Sequence, residues 1–285
     1  MPVSNRKFKY IILLILFFSN FFVWYGVFAE EKRNELQVSF LDVGQGDGVF
    51  IEAPGGNQIL VDGGRNKKVL RELSKVMPFY DRSIDVVIAT HPDADHIGGL
   101  PAVLERFDVD LFVDPGNSSD TAVYKEMIKL LKEKNIEMLT AKRGMKINLD
   151  YGAYLLILFP DRDVSLVESN TSSIVSMLVY GNTSFLLTGD SPKSIENYLA
   201  SIDGGNLKAD VLKAGHHGSK TSTSELFLGY VNPSYAIISS GKNNSYGHPH
   251  KEVLDLLEKF EIKVIRTDES GAIIFKSDGL KVSLE

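Results

Sequence analysis

Six residues, His91-Pro92-Asp93-Ala94-Asp95-His96, limit what this chain can fold into more than any other part of its sequence. They follow an apolar run, residues 85–89, that predicts a buried strand. Two imidazoles and two carboxylates are costly to bury without partners. Together they are ligands that suit zinc, manganese or iron. The segment therefore predicts a metal site at the end of a strand.

The spacing within this segment allows two ions. Residues two apart in an extended chain point to the same side, so His91 and Asp93 could share one ion. Pro92 and the pair Gly98-Gly99 permit a bend, after which Asp95 and His96 could face a second ion. The alternative is a solvated turn in which an aspartate caps the following helix.

Two further strand ends carry similar residues. Asp190 closes the apolar run 184–188, and by itself it is typical of a turn or a helix cap. His216 and His217 follow the apolar run 211–215. Adjacent side chains point in different directions, so one histidine could bind metal while the other orients it or faces substrate.

Composition excludes several other kinds of protein. The chain of 285 residues has 44% hydrophobic and 24% charged residues, which excludes collagen-like, low-complexity and disordered classes. It contains no cysteine, which excludes disulfide scaffolds, thiolate zinc sites, iron–sulfur clusters and cysteine nucleophiles. No internal linker or charge block marks a second domain, so residues 30–285 are predicted to form one domain.

Residues 1–29 are predicted to be a signal peptide or a membrane anchor. Arg6, Lys7 and Lys9 precede an uncharged apolar run over residues 10–29, which ends in Val27-Phe28-Ala29. This order is typical of a cleaved secretory signal, although twenty residues also suffice to span a bilayer. Both interpretations predict a protein that is secreted or tethered to the outer face of the cytoplasmic membrane. It would contact the membrane only through residues 10–29, and only if they are not cleaved.

The remaining pattern alternates short apolar runs with helical periodicity, as two similar halves whose sheets pack together with helices outside. The predicted strands are Leu36–Val43, Val49–Ala53, Gln58–Val61, Asp85–Ala89, Leu111–Val113, Ala153–Phe159, Ile174–Tyr180, Ser184–Thr188, Asp210–Lys213, Tyr235–Ser239, Ile262–Ile265 and Ala272–Lys276. The predicted helices are Lys67–Val76, Gly99–Phe107, Asp120–Asn135, Lys193–Ser201 and Lys251–Phe260.

Seven motifs, in order along the chain, resemble those of the metallo-β-lactamase fold, and more narrowly the hydrolase-like domain of ComEC/Rec2 competence proteins. The resemblance covers the chain from about residue 36 onward and implies a stand-alone form of that domain. The motifs are FLDVGQGD (40–47), LVDGG (60–64), HPDADHIGG (91–99), NTSS (170–173), LLTGD (186–190), LKAGHHGS (212–219) and NNSYGHP (243–249).

This resemblance implies an αββα sandwich, with two mixed β-sheets flanked by helices and a di-metal cleft where the sheets meet. It implies that His91 and Asp93 bind the first ion and that Asp95 and His96 bind the second. Asp190 would bridge the two ions. His217 would complete the second site, with His216 as the alternative. Asp42 and Asp62 would orient loops or ligands, and the alternative for both is ordinary turn chemistry at a strand end.

The sequence departs from many members of the fold at two places. A second histidine is replaced by Asp93, and no histidine stands near residues 170–173. The first ion is left with harder oxygen ligands, which favours manganese or magnesium over tightly bound zinc. The predicted cofactors are therefore two divalent ions, Mn²⁺ or Zn²⁺, with Mg²⁺ also allowed.

Two ions can activate a water and hold the oxygens of an in-line displacement at phosphorus. Asp95 could steer that water, and Asp190 would fix the ion pair. His248 could contact a phosphate or protonate the leaving oxygen, and it could equally be a loop histidine before a helix. His250 is predicted to be solvated. Further donors for a phosphodiester are Lys242, Asn243 and Asn244.

These observations predict an exported metal-dependent phosphodiesterase or nuclease, with DNA as the substrate that the resemblance implies. Without residues 1–29 the chain has 28 basic and 37 acidic residues, a balance that is unusual for a DNA-binding protein. An envelope or small-molecule phosphodiesterase or esterase is therefore the alternative, followed by a non-catalytic metal-binding module. No feature predicts a protein partner.

Overall fold

The chain was analysed as a computed structural model, which describes residues 5–31 and 35–285. Its first element is a single helix, α1 (Asn5–Glu31), over most of the predicted leader. The stretch Lys7–Gly26 is long and apolar enough to cross a membrane, and none of it is buried. Residues 1–4 of the predicted leader lie outside the described residues. The helix is compatible with a signal or an anchor, and cleavage after Ala29 stays a prediction.

The described strands form two mixed sheets. The strands are β1 (Leu36–Phe40), β2 (Val49–Glu52), β3 (Gln58–Val61), β4 (Ser83–Ile88), β5 (Asp108–Asp114), β6 (Glu137–Thr140), β7 (Lys146–Asn148), β8 (Tyr154–Phe159), β9 (Val175–Tyr180), β10 (Thr183–Leu187), β11 (Val211–Lys213), β12 (Tyr235–Ile238), β13 (Lys263–Arg266), β14 (Ile273–Ser277) and β15 (Val282–Leu284). The first sheet has the order β15-β14-β1-β2-β3-β4-β5-β6, and the second has the order β13-β12-β11-β10-β9-β8-β7.

The described residues form eight further α-helices, and the longer ones cover the outer face of each sheet. They are α2 (Lys68–Val76), α3 (Ala94–Ile97), α4 (Leu100–Arg106), α5 (Ala122–Glu133), α6 (Lys193–Asp203), α7 (Glu225–Val231), α8 (Lys251–Lys259) and α9 (Thr267–Ser270). One apolar core lies between the sheets, where Phe40, Phe185 and Phe275 are fully buried. A second core packs α6, α7 and α8 on one sheet, and a third packs α2, α4 and α5 on the other. The predicted two-sheet sandwich with outer helices is thus confirmed.

The C-terminal strands depart from the predicted pattern of two similar halves. The predicted strand at 272–276 follows the second half in sequence, yet β14 pairs antiparallel with β1, with Leu36 opposite Ser277. β15 then pairs with β14 at the sheet edge. Periodicity predicts a strand but carries no information about its neighbour, because that choice depends on which edge of which sheet still has unpaired backbone groups.

Several short elements were not predicted. The strands β6, β7 and β15 have three or four residues each, and β6 is exposed along its whole length. Strands this short give too few alternations for a period of two to be recognised. The helix α7 was also missed; its N-cap Ser224 accepts a hydrogen bond from the backbone N–H of Phe227.

The direction of the strands decides where the loops meet. The strands β3 to β6 are parallel to one another, as are β10 to β13. β1 has the same direction as β3, because each is antiparallel to β2. The loops that follow β1, β3 and β4 therefore leave the first sheet at one edge, which we call the cleft edge.

Candidate metal centre

Three strand ends that are far apart in sequence meet at the cleft edge. The loop after β4 carries His91 and His96, the loop after β10 carries Asp190, and the loop after β11 carries His216 and His217. The last two residues have left-handed backbone conformations, with φ of 49° and 54°. Such a turn lets two consecutive imidazoles point to one region. The three predicted clusters therefore form one site.

Asp190 lies at the centre of this site. Its Oδ2 is 3.3 Å from Nε2 of His96 and 3.4 Å from Nε2 of His217. The same oxygen is 3.7 Å from Nε2 of His216 and 3.9 Å from Nε2 of His91. The histidine side chains thus present the same ring nitrogen to one carboxylate oxygen.

The other ring nitrogen of His91 and of His96 is already engaged. Nδ1 of His96 is 2.8 Å from Oδ2 of Asp62, and Nδ1 of His91 is 3.0 Å from Oγ1 of Thr90. Thr90 donates its hydroxyl to the Asp62 carboxylate at 2.7 Å and its backbone N–H at 2.8 Å. Ser173, in the predicted NTSS motif, also contacts Nδ1 of His91 at 3.2 Å. These contacts fix the rings so that Nε2 faces the centre.

The second pair is held in the same way. Nδ1 of His217 donates to the backbone carbonyl of Ser239 at 3.0 Å, in the loop after β12. Nδ1 of His216 is 3.0 Å from Oγ1 of Thr221. Each histidine therefore has its Nδ1 occupied and its Nε2 available, which is the usual arrangement of a metal-binding histidine with an outer hydrogen-bond partner.

The buried polar atoms at the centre fit a divalent cation. Nε2 of His91, His96 and His217 and Oδ1 of Asp190 are buried without a hydrogen-bond partner among the described residues. A buried unpaired polar atom costs about 1–3 kcal/mol, so four of them together favour the binding of a ligand. Imidazole nitrogens and carboxylate oxygens suit a divalent metal.

The two aspartates of the HPDADH segment lie at opposite ends of the cluster. Oδ2 of Asp93 is 3.8 Å from Nε2 of His91, and Oδ2 of Asp95 is 3.4 Å from Nε2 of His217. Asp93 stands at the N-cap position of α3 but makes no side-chain capping hydrogen bond, so the alternative of a capping aspartate is wrong. It accepts a hydrogen bond from Ser169 at 2.7 Å instead.

The electrostatics of the site favour the charged forms of His96 and His217 in the absence of metal. Burial acts to lower the pKa of His96, but the carboxylates of Asp190 and Asp62 outweigh it and raise that pKa well above its usual value. For His217, burial is outweighed by Asp190 and Asp47, which raise the pKa to about 9. A cation that binds here therefore displaces protons.

The remaining groups respond to these charges. Burial lowers the pKa of His91 well below its usual value, and the neighbouring His96 lowers it further. Burial also lowers the pKa of His216. For Asp190, burial acts to raise the pKa, but His217 and His96 outweigh it and hold that carboxyl well below its usual range. The centre thus contains a carboxylate that stays ionised in a buried place.

Sequence reasoning missed two residues of the site, Asp47 and Lys213. Oδ1 of Asp47 is 3.2 Å from Nδ1 of His217, and its Oδ2 is in contact with the ammonium of Lys213. That ammonium also donates to the carbonyl of Gly189 at 3.1 Å and lies 3.8 Å from Oδ1 of Asp190. Lys213 is fully buried at the end of β11, and a charge at the end of an apolar strand was the signal that could have identified it.

Asp47 belongs to the tightest group of donors. Asp47, His96, Asp190 and His217 each place one donor atom within 4.8 Å of the others. Burial would raise the pKa of Asp47, but Lys213 and then His217 outweigh it and lower that pKa to about 2.

The loop before Asp47 needs a glycine. Gly46 has φ of 126°, and a Cβ at this position would lie 2.0 Å from the carbonyl oxygen of Asp95. This close approach brings the Asp47 backbone N–H to within 3.3 Å of the same carbonyl. The FLDVGQGD motif and the HPDADH motif are therefore in direct contact.

The two early aspartates differ in role. Asp62 holds His96 and Thr90, as described above, which is the orienting role that was predicted. Asp42 pairs with Lys68 at 2.7 Å and accepts the backbone N–H of Gly44 at 3.3 Å. Asp42 therefore orders its own loop.

His248 lies beside the histidine cluster. Its ring centroid is 5.6 Å from that of His216 and 6.2 Å from that of His217. Burial, followed by the charge of His217, lowers the pKa of His248 to about 4. His250 was predicted to be solvated; its ring is partly buried, and its Nδ1 accepts the backbone N–H of Lys220 at 3.2 Å.

The segment 242–248 borders a cavity of about 560 Å³ next to His248. Lys242 and Asn243 are exposed on it. Asn244 was predicted to be a phosphate donor, but both of its donor positions are used within the loop, by the carbonyls of Gly241 at 2.9 Å and His248 at 2.6 Å. Asn244 therefore shapes the loop, and the cavity retains Lys242 and Asn243 as donors.

Comparison with known proteins gives consistent results. The family model described as the metallo-beta-lactamase superfamily matches residues 41–242. The chain is 35% identical over 260 residues to ComE operon protein 3 of Bacillus subtilis and 33% identical over 252 residues to recombination protein 2 of Haemophilus influenzae. These matches cover 85% and 87% of this chain but 33% and 29% of the relatives, so the chain spans about a third of their length.

A solved structure supports the fold. Igni18, a metallo hydrolase from Ignicoccus hospitalis, superposes with a TM-score of 0.53 at 15% sequence identity, covering 85% of this chain and 98% of Igni18. At this identity the likeness concerns the fold alone. It agrees with the two-sheet sandwich that the sequence predicted.

Proposed function

We propose that this chain, which belongs to the metallo-beta-lactamase superfamily, is an extracytoplasmic metal-dependent phosphodiesterase that cleaves DNA. The observation that supports this most directly is the convergence of the Nε2 atoms of the histidines on Oδ2 of Asp190. Such an arrangement would not stabilise a protein core by itself, because it brings together groups that bind cations and leaves their donor atoms unpaired.

We expect this site to hold two ions. His91 and Asp93 would hold one ion. Asp95, His96 and His217 would hold the other, with Asp190 between the two. When bound, two divalent ions lower the pKa of a coordinated water and neutralise charge on phosphoryl oxygens.

The other residues position groups around the reaction. Asp95 is one-quarter exposed, so its second oxygen can orient a water on the cleft side. His248 has a pKa of about 4 and is neutral near pH 7, which favours a contact to a phosphate oxygen through its N–H over donation of a proton. Asp62 and Ser173 keep the histidines in the orientation that presents Nε2.

DNA as substrate rests on the relatives. One is named recombination protein 2, and the resemblance of the motifs to ComEC/Rec2 competence proteins implies DNA as the substrate. The chain itself is acidic, and its basic helix α5 is neutralised by ion pairs such as Lys129 with Glu126 at 3.5 Å. Substrate affinity would therefore come from the centre itself and from the donors near His248.

A small or envelope-borne phosphodiester is the second candidate. The cavity beside His248 has a volume of about 560 Å³, which suits a group the size of one nucleotide. Its lining is of mixed charge, since Arg266 is paired with Asp268 at 2.6 Å. A cavity of this kind favours a small substrate over a long polyanion.

The test uses the full chain in lipid nanodiscs, stripped of metal with a chelator. Cleavage of linear DNA and of bis-p-nitrophenyl phosphate is measured with Mn²⁺, Mg²⁺ or Zn²⁺, for the natural chain, Asp190→Ala and the control Asp42→Asn. Metal-restored DNA cleavage that is lost only in Asp190→Ala supports the proposal. Cleavage of the small diester alone supports the second candidate. Tight metal binding without turnover of either substrate contradicts both and leaves a binding module.

A further inference from the structure

The edge of the first sheet opposite the metal centre has unusual surface properties. The strands β1, β3, β4 and β5 all begin at this edge, because they have the same direction and their carboxyl ends face the cleft. We call it the entry edge, and define its surface by residues 70–82 and 106–107. It contains no residue of the candidate metal centre.

Two aromatic side chains project from the entry edge. Phe79 is 84% exposed and Tyr80 is 59% exposed, on the loop between α2 and β4. Their rings are 5.4 Å apart in an edge-to-face arrangement. Together the two rings expose an apolar surface that another molecule can cover. Tyrosine is also enriched where proteins meet the headgroup region of a bilayer, and an adjacent phenylalanine adds apolar surface there.

A groove with an apolar floor and arginines around it lies beside the aromatic pair. Its volume is about 350 Å³, and its lining includes Leu70, Met77 and Phe107. Arg82 and Arg106 also line it, together with Asp81 and with Arg71, whose guanidinium is paired with Glu72 at 3.1 Å. Arginine binds phosphate through a planar fork of donors while its stem covers apolar surface. The chemistry of the groove therefore matches a phospholipid, with its apolar chains and anionic headgroup phosphate.

With α1 retained as an anchor, the chain would hold this edge close to a membrane. α1 contains the stretch Lys7–Gly26, which could cross a bilayer, and it ends at Glu31. β1 begins at Leu36, five residues later, so its first residue lies at most about 18 Å from the end of the helix. Three strand spacings, about 15 Å, separate β1 from β4, whose first residue follows the aromatic loop.

We propose that the entry edge lies on the outer surface of the bilayer that anchors α1, with Phe79 and Tyr80 in the headgroup region and arginine side chains at lipid phosphates. This inference rests on retention of α1 as an anchor and is independent of the substrate. The six residues of β4 extend for about 20 Å. The metal centre, at the far end of β4, is then held about that distance from the lipid and opens away from it. Such an orientation favours a substrate that arrives from the aqueous side.

Site-specific labelling tests this orientation, because the chain contains no cysteine. Phe79→Cys and, as control, Leu166→Cys are each labelled with an environment-sensitive fluorophore in the full chain. Leu166 is 99% exposed in the loop that leads from β8 to Ser169, the residue that contacts Asp93 at the cleft edge. Both proteins are placed in nanodiscs of phosphatidylcholine and phosphatidylglycerol that contain a lipid with a quencher near the headgroup.

The label at position 79 is expected to be quenched by the lipid probe. Its quenching by aqueous iodide is expected to be at least threefold weaker than that of the label at position 166. Arg82→Gln together with Arg106→Gln is expected to reverse much of this shielding. Equal iodide sensitivity at positions 79 and 166 would overturn the proposed orientation, and shielding unchanged by the arginine substitutions would overturn the phosphate contact. The readout does not involve catalysis, so an inactive enzyme leaves the inference intact and a failed inference leaves the hydrolase proposal intact.

Discussion

Replacing Asp62 with asparagine tests the orientation of the histidines. The side chains have the same shape, and asparagine tolerates the left-handed backbone of this position, where φ is 60°. The change therefore alters hydrogen bonding and leaves the packing of the fully buried side chain in place. The carboxylate can only accept hydrogen bonds, whereas the amide has one accepting and one donating end.

The effect follows from the tautomer of His96. His96 must be neutral when it binds metal, and with Asp62 its remaining proton stays on Nδ1, which donates to the carboxylate at 2.8 Å and leaves Nε2 for the metal. In Asp62→Asn the amide oxygen is retained by the backbone N–H of Thr90, and the NH₂ group faces Nδ1. The ring then carries its proton on Nε2, which cannot bind a metal. Loss of an outer partner of this kind weakens metal affinity 10- to 100-fold, about 1.4–2.7 kcal/mol.

The assay is calorimetric titration of Zn²⁺ and Mn²⁺ into the metal-stripped full chain. Asp42→Asn is the matched control, since it is also an aspartate after a strand but pairs with Lys68 outside the cluster. Nitrogen chemical shifts of the imidazoles report the tautomer of His96 directly. Equal affinities of the two variants, or an unchanged tautomer in Asp62→Asn, would refute the reasoning.

Three further results are expected. Metal affinity is expected to rise between pH 6 and 9 by about ten- to a hundredfold per pH unit, because metal binding displaces protons from His96 and His217. Calorimetric titrations in buffers of different ionisation enthalpy count the released protons. Release of no protons would contradict this account. Burial raises the pKa of Glu196 to about 7, so the stability that this group contributes below pH 4.5 is lost as the pH rises through 7, by up to about 3 kcal/mol. In urea unfolding at pH 5 to 8, Glu196→Gln should remove this dependence of the unfolding free energy on pH. The same pH dependence in the variant and the natural chain would contradict the prediction. Lys213→Met leaves the buried carboxylate of Asp47 without its cation and should lower the free energy of unfolding by about 3–5 kcal/mol in chelator. The loss should be smaller in the presence of metal, measured by urea unfolding in both conditions. Equal losses would show that the ammonium and the metal do not compensate the same charge.

The sequence by itself determined the local parts of this protein. The apolar runs predicted twelve of the strands to within a few residues, because a period of two is a local property of a half-buried chain. The HPDADH segment indicated a metal site, since clustered imidazoles and carboxylates have few other uses. The order of the motifs indicated the fold and the set of residues that meet at Asp190.

Tertiary structure decided which of these parts meet and how. The contact of Asp47 with Lys213 joins residues 166 positions apart, and it forms only because the two sheets pack face to face. The orientation of each ring depends on neighbours such as Asp62 and Ser239, which no local pattern connects to the histidines. The exposure of Phe79 likewise depends on which strands begin at the same edge. These features come from long-range packing, and residue type and spacing along one segment do not encode it.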